Sequence, residues 1–484
     1  MVDILLTTIH ARYRHTAYGL RCLHANLGDL AHRAAILEFD LERTPTEMAE
    51  AILARQPRMV GIGVYIWNAE PTHKLVQILK RLRPDMVLVL GGPEISHETS
   101  DQPMADLADY VVAGEGEIVF RELCRQVLAG GKNFEHLVRA PSPDVGQLLP
   151  AYPLYDGRDI QERVIYVEAS RGCPFKCAFC LSALDQGVRS FPLAPFLAHM
   201  EALLHRGARQ FKFIDRTFNL KTTTAKAILD FFFARQRPGL FLHFEVIPDR
   251  FPAALRESVS RFPAGTIQFE VGLQSFDAEV LARIDRLQDV QRAEENLLWL
   301  RRQTGVHLHT DLIVGLPGED VSGFAAGFDR LMALDPHETQ VGILKRLRGA
   351  PLQRHIEPFR MVFAPDPPYE LLCNDRIDFM TMRRLKRFAR YWDLIGNSGR
   401  FPATRTCLFG EGSPFARFMA LADWLYTTTG QTHRIALPRL YDLVRSGLVQ
   451  ALGVAPNVAE AVVQADQSRS GKGQGPPRQN RSVA

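Results

Sequence analysis

The stretch Arg171-Gly-Cys173-Pro-Phe-Lys-Cys177-Ala-Phe-Cys180 contains three of the seven cysteines of the chain. Spacings of four and three residues let the thiolates of Cys173, Cys177 and Cys180 surround one face of a small metal cluster from a single loop. Iron–sulfur clusters prefer four thiolates, and no fourth cysteine lies nearby in the sequence. The pattern therefore predicts a cluster with one iron left open for a ligand that is not a protein side chain.

A structural zinc site is the alternative for the same three cysteines. Such a site needs four ligands, and no Cys or His follows at zinc-finger spacing. The remaining cysteines are scattered and are expected to be ordinary thiols; they are Cys22, Cys124, Cys373 and Cys407. An odd number of cysteines with three grouped together does not fit a disulfide framework, which favours a reducing cytoplasm. The cluster is the preferred interpretation.

Short apolar runs alternate with helical patterns on both sides of this stretch. The predicted strands are Val164–Glu168, Phe211–Ile214, Leu240–Val246, Thr266–Val271, Val306–Ile313 and Thr339–Leu344. Apolar residues at helical spacing lie between them, as in Ala225–Arg235 and Ala293–Arg302. Six βα units predict a partial (β/α)6 TIM-like barrel, since a complete barrel has eight. The three cysteines follow the first strand, and barrels place their chemistry at the carboxyl ends of the strands.

The first 140 residues show the same alternation. Their predicted strands are Ile4–Leu6, Ala35–Phe39, Met59–Val64, Met86–Leu90 and Tyr110–Val112, and their predicted helices are Ala17–Leu27, Thr46–Arg55 and Pro71–Leu82. Continuous apolar strands separated by helices predict an α/β fold with a doubly wound, Rossmann-like parallel sheet. Ligands of such sheets bind beyond the carboxyl ends of the strands. The residues found there are Tyr65, Trp67, Gly91, Gly92, Glu94, Gly114 and Glu115.

The chain is expected to contain several domains. A doubly wound domain spans residues 1–140, a linker rich in Pro, Asp and Gly spans 141–160, and the partial barrel spans 161–350. Residues 351–463 are predicted to be mostly helical, and the polar, glycine-rich segment 464–484 is predicted to be disordered.

Composition and charge exclude some classes of function. Of 484 residues, 46% are apolar and 23% charged, and no run of 18 apolar residues occurs, so no membrane span or membrane partner is expected. The amino terminus is typical of a strand rather than a signal peptide. A net charge of +4 is too small to indicate a nucleic-acid partner. The basic run Lys345–Arg348 is predicted to be a solvated loop. A cytoplasmic protein is expected.

The CxxxCxxC spacing, with the aromatic Phe179 before the last cysteine, resembles the signature of the radical S-adenosylmethionine (SAM) superfamily. The resemblance implies that Cys173, Cys177 and Cys180 hold a 4Fe-4S cluster, whose open iron chelates SAM, and that Phe179 lies near the adenine. In that superfamily an external donor of the flavodoxin or ferredoxin type reduces the cluster. The reduced cluster then breaks a carbon–sulfur bond of SAM and releases a 5′-deoxyadenosyl radical.

Several predicted barrel strands carry an acid inside or just after an apolar run. These acids are Glu168, Asp215, Glu245, Glu270 and Asp311. A buried carboxylate is costly unless it meets a partner. A nearby arginine, such as Arg171, Arg216 or Arg250, or a cationic ligand would provide one. Taken as a set, the acids favour a polar cavity.

The same resemblance implies particular contacts to SAM. Phe211-Lys-Phe-Ile-Asp215 resembles the second-strand motif that touches the amino group of SAM, with Asp215 instead of the common Gly-Gly-Glu form. Glu270-Val-Gly-Leu-Gln274-Ser resembles the fourth-strand segment, and Asp311-Leu-Ile-Val-Gly315-Leu-Pro-Gly318-Glu the fifth. Cofactor contacts are therefore expected at Asp215, Glu245, Glu270, Gln274, Asp311 and Gly315. Gly315 and Gly318 would let the backbone approach the adenosyl group closely.

The first domain resembles the cobalamin-binding domain of the cobalamin-dependent radical SAM subclass. The matching stretches are Val60–Asn68, Val89–Glu94 and Val112–Glu117, which implies a cobalamin site at Tyr65, Trp67, Gly91, Gly92, Glu94, Gly114 and Glu115. Gly91 and Gly92 would let the backbone lie against the nucleotide tail. The domain lacks Gly-x-Gly-x-x-Gly, which disfavours a dinucleotide, and lacks Asp-x-His-x-x-Gly, so no lower histidine ligand is expected. The alternative is a domain that kept the fold and lost the cofactor.

The whole arrangement looks like an uncharacterised subfamily of cobalamin-binding radical SAM proteins with a helical C-terminal domain. It implies an enzyme that methylates an unactivated carbon of an unknown small-molecule, lipid-precursor or peptide substrate. A radical rearrangement or cyclisation without methyl transfer, or a non-catalytic cobalamin sensor, is the alternative. A methylthiotransferase is disfavoured because it needs a second trio of cysteines.

Overall fold

The structure is a computed structural model that describes residues 2–131, 134–185 and 187–471. The chain divides into two compact units, each of which is described by itself. The first unit runs to residue 245 and includes the short segments 347–351 and 365–369. The second contains residues 246–346, 352–364 and the described chain from 370 onward. The domain boundaries inferred from the sequence stay predictions.

A six-stranded parallel sheet forms the amino-terminal part of the first unit. Its strands are β1 (Ile4–His10), β2 (Ala34–Asp40), β3 (Met59–Gly63), β4 (Val87–Gly91), β5 (Tyr110–Gly114) and β6 (Leu137–Ala140). The strand order is β2-β1-β3-β4-β5-β6, and every neighbouring pair is parallel. The chain leaves β1 first to one side and later to the other. The predicted doubly wound sheet is confirmed, and its ligand edge is the carboxyl edge of the strands.

Helices cover both faces of this sheet. They are α1 (Tyr18–Ala25), α2 (Pro45–Leu53), α3 (Ala69–Leu82), α4 (Pro103–Leu107) and α5 (Glu117–Leu128). Leu5 and Leu6 are both fully buried although side chains alternate along a strand. Leu5 belongs to one core with Leu75 of α3, and Leu6 to a second core with Phe120 of α5. Burial on both faces explains why these strands have continuous apolar sequences.

The segment predicted to be a linker, residues 141–160, is ordered by burial. Tyr152 and Tyr155 are 5% and 0% exposed, and helix α6 (Gly157–Glu162) follows them. Asp159 of α6 is 3% exposed and accepts from Arg21 at 2.6 Å and Arg163 at 2.9 Å.

The edge strand β6 was not predicted from the sequence. None of its residues is fully buried, so it has no continuous apolar run.

The rest of the first unit contains the first predicted barrel strands. They are β7 (Ile165–Val167), β10 (Gln210–Phe213) and β11 (Phe241–Glu245), with helices α7 (Leu193–His205) and α8 (Thr222–Ala234). Strand β10 pairs in parallel with both β7 and β11. A short antiparallel ribbon, β8 (Ser170–Arg171) with β9 (Arg189–Ser190), interrupts the series after β7. The sequence analysis did not predict this ribbon.

The second unit begins with the later predicted strands. They are β12 (Ile267–Gln274), β13 (His307–Val314) and β14 (Glu338–Ile343), and β13 pairs in parallel with both of the others. The accompanying helices are α9 (Ala253–Ser260), α10 (Ala278–Arg283), α11 (Val290–Gln303) and α12 (Val321–Ala333). All six predicted strands of the second series are therefore present, three in each unit.

The C-terminal region is mostly helical, as predicted. Its elements are α13 (Gln353–Ile356), the antiparallel pair β15 (Val362–Phe363) and β16 (Leu371–Cys373), α14 (Phe379–Ile395), α15 (Pro402–Leu408), α16 (Pro414–Thr429), α17 (Leu437–Gln450) and α18 (Pro456–Gly471). Aromatic side chains fill its core: Trp392 of α14 lies 4.9 Å from Phe418 of α16 between ring centroids.

The prediction of disorder from residue 464 onward is wrong for residues 464–471, which belong to helix α18. It continues to Gly471, because Asp466 is fully buried against the start of α15. The Asp466 carboxylate accepts from the backbone N–H groups of Ala403 at 2.8 Å and Thr404 at 2.9 Å. Residues 472–484 of the predicted tail lie outside the described residues.

None of the helices in the described part of the chain combines the length and the apolar character needed to cross a membrane.

Candidate cluster and cofactor site

The three grouped cysteines lie in a loop that the β8–β9 ribbon closes at its base. Gly172, directly before Cys173, has φ +95°, in the left-handed region that favours glycine. A Cβ atom at residue 172 would lie 2.1 Å from the carbonyl oxygen of Gly187. Only glycine lets the two ends of this loop approach so closely. We call residues 172–187 the cluster loop.

The cluster loop presents three cysteines that form no disulfide bond. Cys177 is buried, Cys173 and Cys180 are half-buried, and Phe179 between them is half-buried as well. The backbone N–H of Cys180 donates to the Cys177 carbonyl at 3.1 Å, a tight turn that groups the last two cysteines. This donor set fits a 4Fe-4S cluster.

The arrangement of possible metal ligands bears on the zinc alternative. Within the described ranges, no three His, Cys, Asp or Glu side chains are close enough together to hold one metal ion. A cubane cluster makes no such demand, because each thiolate binds a different iron. The zinc alternative, which needs ligands converging on one ion, receives no support.

Asp215 fastens the chain just before the cluster loop. It is 2% exposed, and its Oδ2 accepts from the Ala169 N–H at 3.0 Å. Its Oδ1 accepts from Ser170 Oγ at 2.6 Å. Burial raises the pKa of Asp215 to about 7. Both carboxylate oxygens of Asp215 thus have donors within the protein.

Glu245, another of the predicted acids, lies at the end of β11. Its Oε1 is 3.1 Å from Nη1 of Arg216.

Glu115, beyond β5, contacts the base of the cluster loop. Its Oε2 accepts from Nη1 of Arg171 at 2.6 Å, and its Oε1 accepts from Arg189. Burial of Glu115 opposes ionisation, but the hydrogen bonds from Arg189 and Arg171 lower its pKa below the ordinary value. Arg189 was not singled out in the sequence because its partner lies far away in the chain.

Two aromatic rings lie beyond the carboxyl end of β3. Tyr65 and Trp67 stack with centroids 4.5 Å apart and planes inclined by 9°. The Trp67 Nε1–H donates to the Ile9 carbonyl at 3.1 Å. Asn68 is fully buried; its Nδ2 donates to Ile9 and Gly63 carbonyls, and its Oδ1 accepts from the Tyr65 N–H at 2.7 Å. Asn68 therefore fixes the loop that presents the ring pair.

The glycines at this edge of the sheet differ in whether the fold itself requires glycine. Gly92 has φ +105°, and a Cβ there would lie 2.5 Å from the Val64 carbonyl oxygen. Gly114 has φ +101°, and a Cβ would lie 2.8 Å from the Ala140 carbonyl oxygen. Contacts within the protein therefore require both glycines, without any cofactor. Gly91 differs, because a Cβ there would meet its nearest atom only at 3.5 Å.

Glu94, beyond β4, is bound by two residues that sequence reasoning missed. Its Oε1 accepts from the Tyr369 hydroxyl at 2.6 Å and from Nε of Arg348 at 3.2 Å. Glu94 is 5% exposed, and burial raises its pKa above the ordinary value despite these partners. The prediction of a solvated loop at Lys345–Arg348 is wrong for Arg348, whose guanidinium also lies 3.4 Å from Glu98.

In the second unit, the expected cofactor residues share one face of the β12–β14 sheet. Glu270 is the cross-strand neighbour of His309, and Gly272 that of Asp311. Nε2 of His309 lies 3.5 Å from Oδ1 of Asp311. Because side chains two apart on a strand point the same way, Glu270, His309 and Asp311 form a polar face. The polar cavity predicted from the acids stays a prediction, supported by this face.

Gln274 ends β12 in an unusual conformation. Its φ is +73°, which a non-glycine residue adopts at a cost. Its side chain is folded back over Gly272, where a Cβ would lie 2.3 Å from the amide nitrogen of Gln274. Gln274 is 9% exposed, and its Oε1 has no hydrogen-bond partner in the described structure.

Gly315 and Gly318 of the second unit both have a positive φ, which favours glycine, and a Cβ at either residue would meet a neighbouring side chain. Gly315 has φ +90°, and a Cβ would lie 2.4 Å from Cδ2 of Leu371. Gly318 has φ +81°, and a Cβ would lie 2.4 Å from Nη1 of Arg283. The positive φ of each glycine is therefore a structural reason for it that involves no cofactor.

Glu319 and Ser275 form a buried pair for which the sequence predicts no role. Ser275 Oγ donates to Glu319 Oε1 at 2.5 Å, and the two residues are 2% and 4% exposed. The second oxygen of Glu319 has no hydrogen-bond partner among the described residues. Burial raises the pKa of Glu319 to about 7. Gln274 at the end of β12 and Glu319 beyond the end of β13 therefore each carry a buried oxygen without a hydrogen-bond partner among the described residues. Such acceptors fit a ligand that donates hydrogen bonds, such as SAM.

Comparison with known proteins identifies the domain types. Residues 4–124 match the family model of the B12 binding domain, and residues 167–330 match that of the radical SAM superfamily. Residues 357–477 match a family described as a protein of unknown function (DUF4080). These matches confirm the two predicted domain types and, with them, cobalamin, a 4Fe-4S cluster and SAM as the cofactors.

Two curated relatives resemble most of the chain at low identity. A 2-(S-pantetheinyl)-carbapenam-3-carboxylate methyltransferase from Streptantibioticus cattleyicolor is 27% identical over 60% of this chain and 47% of the relative. The cobalamin-dependent radical SAM methyltransferase TokK from Streptomyces tokunonensis is 25% identical over 67% of this chain and 52% of the relative. The chain thus spans about half the length of these curated relatives.

A solved structure shares the fold. The radical SAM methyltransferase TsrM from Kitasatospora setae, with cobalamin and a [4Fe-4S] cluster bound, aligns with a TM-score of 0.62 and 18% identity. The alignment covers 97% of this chain and 100% of that one. At this identity the likeness establishes the fold and no more.

Proposed function

We propose that this chain, a radical SAM protein with a B12 binding domain, is a cobalamin-dependent methyltransferase acting on an unactivated carbon of an unknown substrate. One observation carries the proposal. The cluster loop, with its three cysteines outside any disulfide, is bound through Arg171 to Glu115 and Glu117, just beyond β5 of the B12-type sheet. A cluster and a cobalamin held at these two places would lie in the same compact unit. Both curated relatives described above are named as methyltransferases.

The cluster ligands in this proposal are Cys173, Cys177 and Cys180. When bound, the cluster and SAM supply the radical, and cobalamin supplies the methyl group. The protein groups the thiols by the turn at Cys177–Cys180 and closes the loop at Gly172. Electrons would come from an external flavodoxin or ferredoxin type of donor, and the protein would act in the cytoplasm.

The other cofactor contacts are proposed from the placement of their residues. For cobalamin they are the Tyr65–Trp67 ring pair and the open backbone at Gly91. For SAM they are the polar face with Glu270 and Asp311 and the unpaired oxygen of Gln274. The burial of the Glu94 carboxylate by Tyr369 and Arg348 favours a supporting role for that residue at the same edge.

A methylthiotransferase would need thiolates for a second cluster. Cys22 and Cys124 of the first unit do not fit this role, because both are buried and burial raises the pKa of each thiol well above its ordinary value. Cys124 Sγ packs 3.3 Å from Met59 Sδ, in the apolar core.

The proposal can be tested on anaerobically purified full-length protein supplied with iron, sulfide and hydroxocobalamin. Iron and sulfide content, the visible spectrum of bound cobalamin, and 5′-deoxyadenosine formed from SAM after reduction would be measured. The same measurements on Cys177→Ala should show loss of iron and of 5′-deoxyadenosine. Cys373→Ala is the matched control, since that half-buried thiol lies outside the cluster loop.

Methyl-labelled SAM separates the proposal from its main alternative. Transfer of the label to reduced cobalamin in the wild type supports a methyltransferase. Stoichiometric cobalamin and 5′-deoxyadenosine without label on the cobalamin would instead indicate a radical rearrangement. Absence of both cobalamin and 5′-deoxyadenosine would overturn the proposed function.

A further inference from the structure

The Arg171 side chain, two residues before the first cluster cysteine, is bound by three carboxylates. Its Nη1 donates to Glu115 at 2.6 Å and to Glu117 at 2.8 Å, and its Nη2 donates to Glu168 at 2.6 Å. Glu117 and Glu168 are only 5% and 3% exposed. A guanidinium offers its donors in a fixed plane, so these contacts set direction as well as distance.

Glu115 holds both strands of the ribbon below the cluster loop. Arg171 and Arg189 are cross-strand partners, which places two like charges next to each other. Glu115 accepts from both arginines and offsets this repulsion. Arg189 also donates to the Pro143 carbonyl at 2.9 Å. A single carboxylate beyond β5 therefore connects the first sheet to both ends of the cluster loop.

The contacts of Glu115 leave little of its carboxylate for a ligand. Oε2 is shared by Arg171 and Arg189, and Oε1 is taken by Arg189. The side chain is 20% exposed, so it is neither a free surface acid nor an open ligand. This differs from the cofactor contact expected from the sequence.

We propose that Glu115 is a positioning residue that fixes the cluster loop relative to the carboxyl edge of the first sheet, and that it does not contact cobalamin. The inference rests on the proposed function, because it assumes a cluster in that loop and a cobalamin at that edge. Reacting groups displaced by about 1 Å can lose on the order of 100-fold in rate. An enzyme with two cofactors therefore needs such a fixed connection.

Glu115→Gln tests the inference because it keeps the shape of the side chain and removes its charge. Full-length protein carrying both cofactors is reduced so that the cluster and cob(II)alamin are both paramagnetic. The readout is the dipolar broadening that the cluster imposes on the cob(II)alamin electron paramagnetic resonance signal. We expect wild-type content of iron and cobalamin, with the broadening weakened or spread over several distances.

Hydrogen exchange of the protein without cofactors gives a second, independent readout. Loss of a hydrogen bond to a charged group should raise amide exchange about tenfold or more in residues 168–191 and 114–118 together. Arg189→Lys is the milder second variant, because it retains the charge and loses the two-pronged contact. Asp29→Asn is the matched control, since Asp29 forms an exposed ion pair with Arg125 in the same unit.

The outcomes separate the two proposals. A fall in cobalamin content with unchanged broadening in the loaded fraction would make Glu115 a cobalamin contact and overturn the inference. Unchanged broadening, cofactor content and exchange would overturn it as well. If wild-type protein binds no cobalamin, the proposed function fails. The hydrogen-exchange experiment still decides whether Glu115 positions the loop, because it asks whether Glu115→Gln raises amide exchange in residues 168–191 and 114–118 together.

Discussion

The Asp215 carboxylate accepts a 2.6 Å hydrogen bond from the hydroxyl of Ser170, three residues before the first cysteine of the cluster loop. The same carboxylate accepts from the Ala169 N–H at 3.0 Å. Asp215 follows β10, so these two bonds connect the neighbouring strand to the start of the loop. The position of the cluster loop therefore depends on Asp215, a residue outside the loop.

Asp215→Ala should destabilise the first unit and weaken its hold on iron. It leaves the buried N–H of Ala169 and the half-buried hydroxyl of Ser170 without an acceptor. A buried polar group left unpaired costs about 1–3 kcal/mol. We expect a lower free energy of unfolding by urea and reduced iron content after reconstitution, with Asp215→Asn intermediate. Glu70→Ala, in an exposed pair with Lys74, is the control. Wild-type stability and iron content in Asp215→Ala would contradict the prediction.

Glu319 should make the protein less stable as the pH rises. Its folded pKa is about 7, raised by burial from an ordinary value of 4.5, so between these values the folded state binds more protons than the unfolded state. The stability gained from the protonated form is complete below pH 4.5 and is lost as the pH approaches 7. The full effect is on the order of 3 kcal/mol.

Glu319→Gln removes this titration. Its free energy of unfolding should therefore fall less than that of the wild type between pH 5 and pH 8. Urea unfolding at several pH values would measure the difference. Glu294→Gln, which removes a carboxylate paired with Arg330 near the surface, is the control. Equal pH dependence of Glu319→Gln and the wild type would show that Glu319 is ionised throughout.

The cluster loop should tolerate alanine at one of its end glycines and not at the other. Gly172 and Gly187 both have positive φ, at +95° and +84°. A Cβ at residue 172 would lie 2.1 Å from the Gly187 carbonyl oxygen, whereas a Cβ at residue 187 meets nothing within 4 Å. Gly187→Ala should cost only the backbone term, about 1–2 kcal/mol. Gly172→Ala should lose more stability and most of its iron, and equal effects in thermal unfolding and iron content would refute the clash.

The sequence predicted what depends on local pattern and missed what depends on distant partners. Strands such as β1 and β4 were found because burial on both faces requires continuous apolar residues. The cluster loop was also found from local sequence, because the three cysteines that identify it lie within eight residues of one another. Glu94, by contrast, meets Arg348, which is 254 residues away in the chain. No local signal distinguishes that arginine from Arg346, two residues before it.

Glycines and acids show the same limit within the candidate site. Gly92 and Gly114 were singled out as expected cobalamin contacts, and those contacts stay predictions. The structure requires them because carbonyl oxygens of Val64 and Ala140 occupy the space of a side chain. Glu115 was noticed at the edge of the sheet, but its arginine partners become adjacent only through the β8–β9 ribbon.

The C-terminal region gives the last prediction, since Asp466 supports a helix far from it in sequence. Its carboxylate accepts from the Ala403 and Thr404 N–H groups and from the Thr404 hydroxyl at 2.7 Å. The first N–H groups of a helix have no partner within it, and here a fully buried acid supplies one. Asp466→Ala should therefore lower the free energy of unfolding by about 2–4 kcal/mol, because it leaves the two buried donors of Thr404 and the half-buried N–H of Ala403 unpaired. Hydrogen exchange should rise in α15 and α18 and stay unchanged in the first unit.

The control is Asp442→Ala, which removes an exposed ion pair with Arg445 in the adjacent helix α17. It should leave α15 and α18 protected from hydrogen exchange. If α15 keeps its protection in Asp466→Ala, the carboxylate is not what holds the start of that helix.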